Sequence, residues 1–245
     1  MSKAVSQFYD QYHQKNDHFH KVINKKNFTY YYLFELMAQA GIEDVQGLKI
    51  LDVGCGVGTM SLYFAAHGAQ VSGIDISPRA ISIAQAAAKD LGLKNVSSEV
   101  GEVKKGTAKF DLILCSEVVE HVPDQLGFLK ILRSHLKDNG KLILTTPSQE
   151  NLLYKLGYYK RFDAEVGHLR RYTMTSLPEI LSEAGLKPSI LRGVEGPLRN
   201  ILFTSKLGVL IRFIKGPLIP LFHYLDMATA AVFGPADLQV VAEKK

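Results

Sequence analysis

A chain of 245 residues with a 47% hydrophobic fraction suits one α/β domain with additions, and it can bury a substantial core. The net charge of +5, with basic residues gathered at 21–26, 155–171 and 192–215, points to anionic partners such as lipid headgroups or RNA, or to a merely basic surface. The N-terminus has no apolar stretch that would act as a secretory leader, and Cys55 and Cys115 read as reduced thiols, so a cytoplasmic location is expected.

Asp17 to Ala40 carries apolar and aromatic residues at mixed helical spacing and Gly41 follows as a cap, which predicts one or two helices forming a lid over residues 1–46. His13, His18 and His20 fit no familiar ligand spacing and read as surface histidines. The core then opens at position 47. Lys49 to Val53 reads as a buried parallel strand ending in Gly54, Cys55, Gly56 and Gly58, where the backbone can turn sharply and approach a ligand closely.

A dinucleotide fingerprint needs its third glycine at position 59, which is Thr59, so NAD is disfavoured. A second strand, Gln70 to Ile74, ends in Asp75 and Ile76, and the Asp75 carboxylate is placed to accept both hydroxyls of a ribose. Asp52, beside the glycines, is placed to meet a cation. Two acids so placed suit a ligand with an ammonium group and a ribose but no pyrophosphate, a description that S-adenosylmethionine (SAM) fits.

The remaining elements follow in alternation. Ser77-Pro78 opens a helix to about Leu91, Asn95 to Val100 is a third strand and Phe110 to Cys115 a fourth. After Asp124 as N-cap comes a helix from Gln125 to Leu136, then a fifth strand from Gly140 to Thr146. Ser176 to Glu179 reads as a capping box for a helix that Gly185 ends, and Pro188 to Val194 and Ala236 to Ala242 read as the last strands. Alternation of this kind means a parallel sheet with the ligand beyond the strand carboxyl ends.

Leu51 to Thr59 together with Asp75 resembles the first two motifs of class I SAM-dependent methyltransferases, and the resemblance runs from about position 49 to 187. It implies a Rossmann-like three-layer α/β sandwich with a seven-stranded, mostly parallel sheet whose last strand is antiparallel. It also implies Glu102 as the contact to the adenine amino group and Ser116 in the SAM pocket. The core would occupy 47–194, with an apolar helical insertion at 195–235 before the final strand at 236–245.

After the fourth strand, spacing of three and four puts Glu117, Glu120 and His121 on one face of a helical turn, a plausible divalent-metal site. The bland alternative is solvated glutamates and a histidine bonded to local backbone. Glu-x-x-Glu-His followed by Val-Pro-Asp resembles ubiquinone-biosynthesis O-methyltransferases, and a related pattern marks small-RNA 3′-end 2′-O-methyltransferases. The resemblance implies that Glu117, Glu120 and His121 hold Mg²⁺ or another divalent cation. His168 would be a fourth ligand or the general base, against a structural role in a basic loop.

The expected function is therefore SAM-dependent O-methylation of a hydrophobic phenol or quinone precursor. The alternatives are ribose methylation of RNA and a membrane-associated protein that binds SAM without catalysis. In the insertion, Pro197 to Phe233 is apolar and punctuated by Arg199, Lys206, Arg212 and Lys215. A helix over Asn200 to Ile214 with one polar stripe would pack on the domain or lie in a membrane interface as a peripheral contact.

Overall fold

A computed structural model describes residues 21–204, 214 and 218–245. Seven strands, β1 (Lys49–Val53), β2 (Gln70–Asp75), β3 (Val96–Val100), β4 (Phe110–Ser116), β5 (Leu136–Pro147), β6 (Leu186–Val194) and β7 (Asp237–Lys244), form one sheet in the order 3-2-1-4-5-7-6. β1 to β5 pair in parallel, and β7 runs antiparallel to both β5 and β6. The Rossmann-like class I arrangement expected from the sequence is the one observed.

Period-two alternation divides the central strands between two cores. Leu51, Val53, Ile113, Cys115, Leu142, Leu144, Val240 and Ala242 face one side, and Ile50, Leu112, Leu114, Ile143 and Val241 the other. Helix α1 (Tyr31–Gln39), α2 (Thr59–Ala66) and α3 (Pro78–Asp90) follow the chain up to β3. Leu36, Met37, Tyr63 and Phe64 from α1 and α2 close the second core. Helix α4 (Gln125–His135) and, after the short α5 (Leu152–Lys155) and α6 (Lys160–Val166), α7 (Ser176–Glu183) close the first with Leu129, Leu132, Leu177 and Leu181. Each fully buried aliphatic side chain contributes about 1.5–3 kcal/mol by transfer from water.

Local signals end these helices as their chemistry requires. Ser77 Oγ accepts the Ala80 N–H at 3.0 Å and Asp124 Oδ1 the Gly127 N–H at 2.9 Å, so both predicted N-caps form. The capping box expected at Ser176 and Glu179 is set three residues earlier. Thr173 Oγ1 accepts the Ser176 N–H while Ser176 Oγ accepts the Thr173 N–H, both at 2.9 Å. Two hydroxyl residues compete for the cap, and the earlier one pairs reciprocally.

Two insertion helices, α8 (Pro197–Thr204) and α9 (Leu218–Phe233), separate β6 from β7. They are fastened to the lead-in by a buried polar hub. The Arg199 guanidinium donates to Phe28 O at 2.9 Å and Thr29 O at 2.8 Å, pairs with Glu195 at 2.7 Å and lies over the Phe28 and Tyr32 rings. Asp226 accepts from the Gly196 and Arg199 N–H groups, both at 2.8 Å, and from the Tyr32 hydroxyl at 3.1 Å. The expected polar stripe Asn200, Thr204, Gly208 and Arg212 lies largely outside the described residues, as do Lys206, Lys215, His13, His18 and His20.

Candidate active site

A cavity of about 920 Å³ opens beyond the carboxyl ends of β1, β2 and β4, at the upper end of the size range of small-molecule sites. Gly54, Gly56 and Gly58 have φ of 71°, 53° and 82°. A Cβ on Gly54 would stand 2.3 Å from Val118 Cγ2, so the loop fits only without a side chain there. Asp75 pins the loop, because its Oδ2 accepts the Gly56 N–H and its Oδ1 the Ser77 N–H, both at 2.8 Å. Asp52 accepts from Ser61 Oγ at 2.6 Å, and burial still raises its pKa to about 6.

Asp52, Gly54, Cys55, Gly56, Asp75, Ile76, Glu102 and Ser116 all line the cavity. Gly58 does not. It starts α2 from its left-handed conformation and lets that turn approach Ala84 of α3, where a Cβ would meet the Ala84 Cβ at 3.0 Å. Burial pushes the Cys55 and Cys115 thiols up, which makes them inert packing groups.

At the far end of the cavity the chain leaves β4 through Glu117, whose φ is 56°, and enters a single 3₁₀ turn, Val119–His121. The left-handed residue rotates Glu117 away from the face that helical spacing assigned to it. Its carboxylate instead accepts from Thr145 Oγ1 at 2.7 Å, and it falls outside the cluster that forms. Burial raises its pKa, although solvent reaches it through the cavity, and burial followed by the nearby Glu117 raises that of Asp237 far more.

Glu120, His121 and His168 converge, with candidate ligand atoms all within 4.8 Å of one another. Glu120 is fully buried and far from solvated. Its Oε2 accepts from Thr146 Oγ1 at 3.2 Å, while Oε1 has no hydrogen-bond donor among the described residues. That oxygen lies 3.8 Å from His121 Nε2 and 4.0 Å from His168 Nε2. The opposite nitrogens face acceptors, Nδ1 of His121 meeting Gly167 O at 3.1 Å and Nδ1 of His168 meeting Asp163 Oδ1 at 2.9 Å. Each Nδ1 can donate in that contact, which leaves each Nε2 turned toward Glu120.

Burial, then Glu117, raises the Glu120 pKa well above its ordinary value, and burial with the neighbouring His168 lowers that of His121 to about 4. Asp163 would be raised by burial, but hydrogen bonds from His168 and Arg171 pull its pKa below normal. Arg171 binds Asp163 at 2.6 Å and stacks on the Tyr154 and Tyr159 rings.

A family model described as a methyltransferase domain matches residues 24–189, well over half of the chain. The chain belongs to this methyltransferase family. The methyltransferase is 38% identical over 115 residues to a ubiquinone biosynthesis O-methyltransferase of Rickettsia canadensis, an alignment that covers 46% of this chain and 49% of the relative. It therefore spans about half the length of the curated relatives it matches. Among solved structures it is similar to a SAM-dependent methyltransferase from Mesorhizobium loti, with a TM-score of 0.64, 17% identity and coverage of 89% and 100% of the two chains. It is also similar to the [4+2]-cyclase SpnF, with a TM-score of 0.61, 20% identity and coverage of 87% and 80%. At such identities the likeness is one of fold, and the cyclase shows that the fold is not confined to methyl transfer.

This methyltransferase is SAM-dependent by family, and in and around its cavity stand several groups that the sequence did not announce. Asp163, which orients His168, sits in a segment whose visible feature was positive charge. Asp237 and Glu195 line the cavity itself, whereas Asp163 stands behind His168. Asp237 reaches it because an antiparallel β7 presents its first residue where parallel strands present their last, a placement that the expected strand direction contained.

Proposed function

We propose that this methyltransferase transfers the SAM methyl group to the hydroxyl oxygen of a hydrophobic phenol, a quinone precursor being the class that its relatives' names suggest. The observation that carries the reading is the Glu120 Oε1 atom, buried between two imidazoles without a donor among the described residues, because such a carboxylate needs a cation or a proton. Glu120, His121 and His168 fit a divalent ion, and two nitrogens with one oxygen suit a first-row transition ion at least as well as Mg²⁺.

When bound, SAM supplies an electrophilic methyl group on a cationic sulfur, and the ion would lower the pKa of a phenol oxygen coordinated to it. The acceptor oxygen forms a bond to the methyl carbon as the carbon–sulfur bond breaks, its electron pair going to sulfur and the hydroxyl proton to a base. The chain's share is positioning. Asp75 would take the ribose hydroxyls, Asp52 would face the ammonium group, Glu102 the adenine and Ser116 the cofactor flank, while Tyr32, Leu33 and Arg199, which also line the cavity, would limit the access of water.

A second, metal-free reading rests on the Asp163–His168 hydrogen bond, which orients His168 as a general base with Nε2 inward. Chelation separates the two readings. Metal-stripped protein that binds SAM normally but no longer methylates a prenylated catechol supports the ion, and full activity supports His168 as base. RNA methylation is less well supported, since the matched relatives are named for a small-molecule pathway. An apolar acceptor of this kind partitions into bilayers, and peripheral membrane contact belongs to the same reading; among the described residues no helix is long and apolar enough to cross one.

A further inference from the structure

At the end of the cavity beside His168, two buried polar atoms lack partners, and the methyl transfer proposed above uses neither. Tyr159 lines the cavity and is only 2% exposed, yet its hydroxyl has no hydrogen-bond partner among the described residues. Asp237 lines the same cavity, and its Oδ1 is likewise buried without a partner among those residues. An unpaired polar atom in a protein interior is unfavourable, and at a ligand site the missing partner is the ligand.

The topology brings the two to one rim. Asp237 opens β7, in register with Pro147 at the end of β5 and Val194 at the end of β6, and its carboxyl stands within hydrogen-bonding reach of Glu117. Tyr159 caps α6 from the segment that crosses this edge. Its ring lies under the Arg171 guanidinium, which binds the same Asp163 that orients His168. Glu195, held by Arg199 at 2.7 Å, acts electrostatically on both Tyr159 and Asp237.

We infer that Tyr159 and Asp237 form a subsite for a second hydroxyl of the acceptor, one that is held and not methylated. The balance of donors and acceptors selects a hydroxyl. Tyr159 brings a proton, and a carboxyl keeps a lone-pair oxygen whether or not it is ionised. One ligand hydroxyl accepts from the Tyr159 O–H and donates to Asp237 Oδ1, completing both. An ammonium group has no lone pair for the Tyr159 proton, and an ether oxygen has no proton for Asp237. An anionic group would meet the carboxyls of Asp237, Glu117 and Glu195, while Arg171 is committed to Asp163 and Ser148 O, and Arg199 to Glu195 and the Phe28 and Thr29 carbonyls. The subsite would decide which of two acceptor hydroxyls meets the methyl group and would reject acceptors that lack the second one. The inference rests on the proposed hydroxyl methylation for its effect on rate, whereas binding tests it separately.

The test compares three probes that differ at one position: a prenylated catechol, its monomethyl ether, and the prenylated phenol without the second oxygen. Each is titrated by calorimetry into protein loaded with S-adenosylhomocysteine, then supplied as acceptor with SAM. Wild type should bind the catechol about tenfold or more tighter than either analogue, with the same order in kcat/KM. Tyr159→Phe should shrink the preference for catechol over phenol by about tenfold, chiefly through KM. Asp237→Asn, whose amide donates where the carboxyl accepts, should improve the methyl ether relative to the catechol, a reversal that a merely structural role would not produce. Both substitutions nearly preserve shape, and unchanged SAM affinity shows that the variants fold. A wild type that does not distinguish the probes overturns the proposal. So does a catechol preference that both variants keep, which would assign the second oxygen to an ion at Glu120, His121 and His168. Tighter catechol binding that the variants lose, with no methyl transfer to any probe, supports the subsite and overturns hydroxyl methylation instead.

Discussion

The amide of Gly56 donates to the carboxylate of Asp75 at 2.8 Å, so the acid that ends β2 holds the glycine loop that follows β1. The ribose-binding role proposed for Asp75 would thus come with a scaffolding one. Asp75→Ala is expected to weaken SAM binding by about 1.5–3 kcal/mol, tenfold or more in Kd, since two charge-assisted hydrogen bonds to hydroxyls and the loop anchor are lost together. Unchanged affinity by calorimetry would remove Asp75 from the cofactor site.

Gly54→Ala should abolish measurable SAM binding. Its Cβ would overlap Val118 Cγ2 at 2.3 Å, and its φ of 71° is strained for any L-residue. Adding Val118→Ala removes the overlap and leaves only the backbone cost of about 1–2 kcal/mol, so the double variant should recover part of the affinity. A single variant that binds SAM normally would contradict the close approach.

Acid should destabilise the fold through His223. Its ring stacks on Tyr31 at 4.1 Å and on Phe28 at 5.1 Å, and neither ring nitrogen has a hydrogen-bond partner among the described residues. Burial, with Arg199 nearby, lowers its pKa to about 3. The unfolded chain thus binds a proton at about pH 6.5 that the fold refuses until about pH 3, so stability present above pH 6.5 is lost as pH falls. Between pH 6.5 and 5 the loss is about 2 kcal/mol. Denaturant titrations should show a smaller loss in His223→Phe than in wild type, and equal losses would contradict the assignment. Asp52 works in the opposite sense: with its pKa raised to about 6, it costs stability as pH rises from about 4 to 6.

Glu120→Gln separates metal binding from folding. The carboxyl is already driven toward its neutral form by burial, so the amide should leave the apo melting temperature unchanged or higher. In wild type a divalent ion at 100 times its Kd should add about 2.7 kcal/mol, roughly 5–10 °C for a chain of this size. The variant should show no such shift. A shift that persists would place the ion elsewhere.

Much of this architecture is legible in the sequence because its causes are local. β1 runs from Lys49 to Val53 as its apolar run demands, and the glycines after it take the positive φ that only glycine takes cheaply. Glu117 was misplaced for the opposite reason. A glutamate at φ 56° leaves no trace in residue spacing, and that one dihedral turns its carboxylate from the 3₁₀ turn to Thr145. The polarity of α9 was equally hidden, because Asp226 is buried only by virtue of Tyr32, Gly196 and Arg199, and Tyr32 lies 194 residues away. Asp163 escaped because a carboxylate among lysines and arginines reads as surface charge until His168 and Arg171 fold onto it.

The most direct test of the central claim is transfer of isotopically labelled methyl from SAM to a prenylated catechol, run with metal-stripped protein before and after a divalent ion is restored. The account predicts label on a phenolic oxygen only when the ion is present, with SAM binding equal in both states and Glu120→Gln inactive in both. Label that appears at the same rate without the ion would contradict the metal site. No transfer to any phenol in either state, from protein that binds SAM, would contradict O-methylation itself.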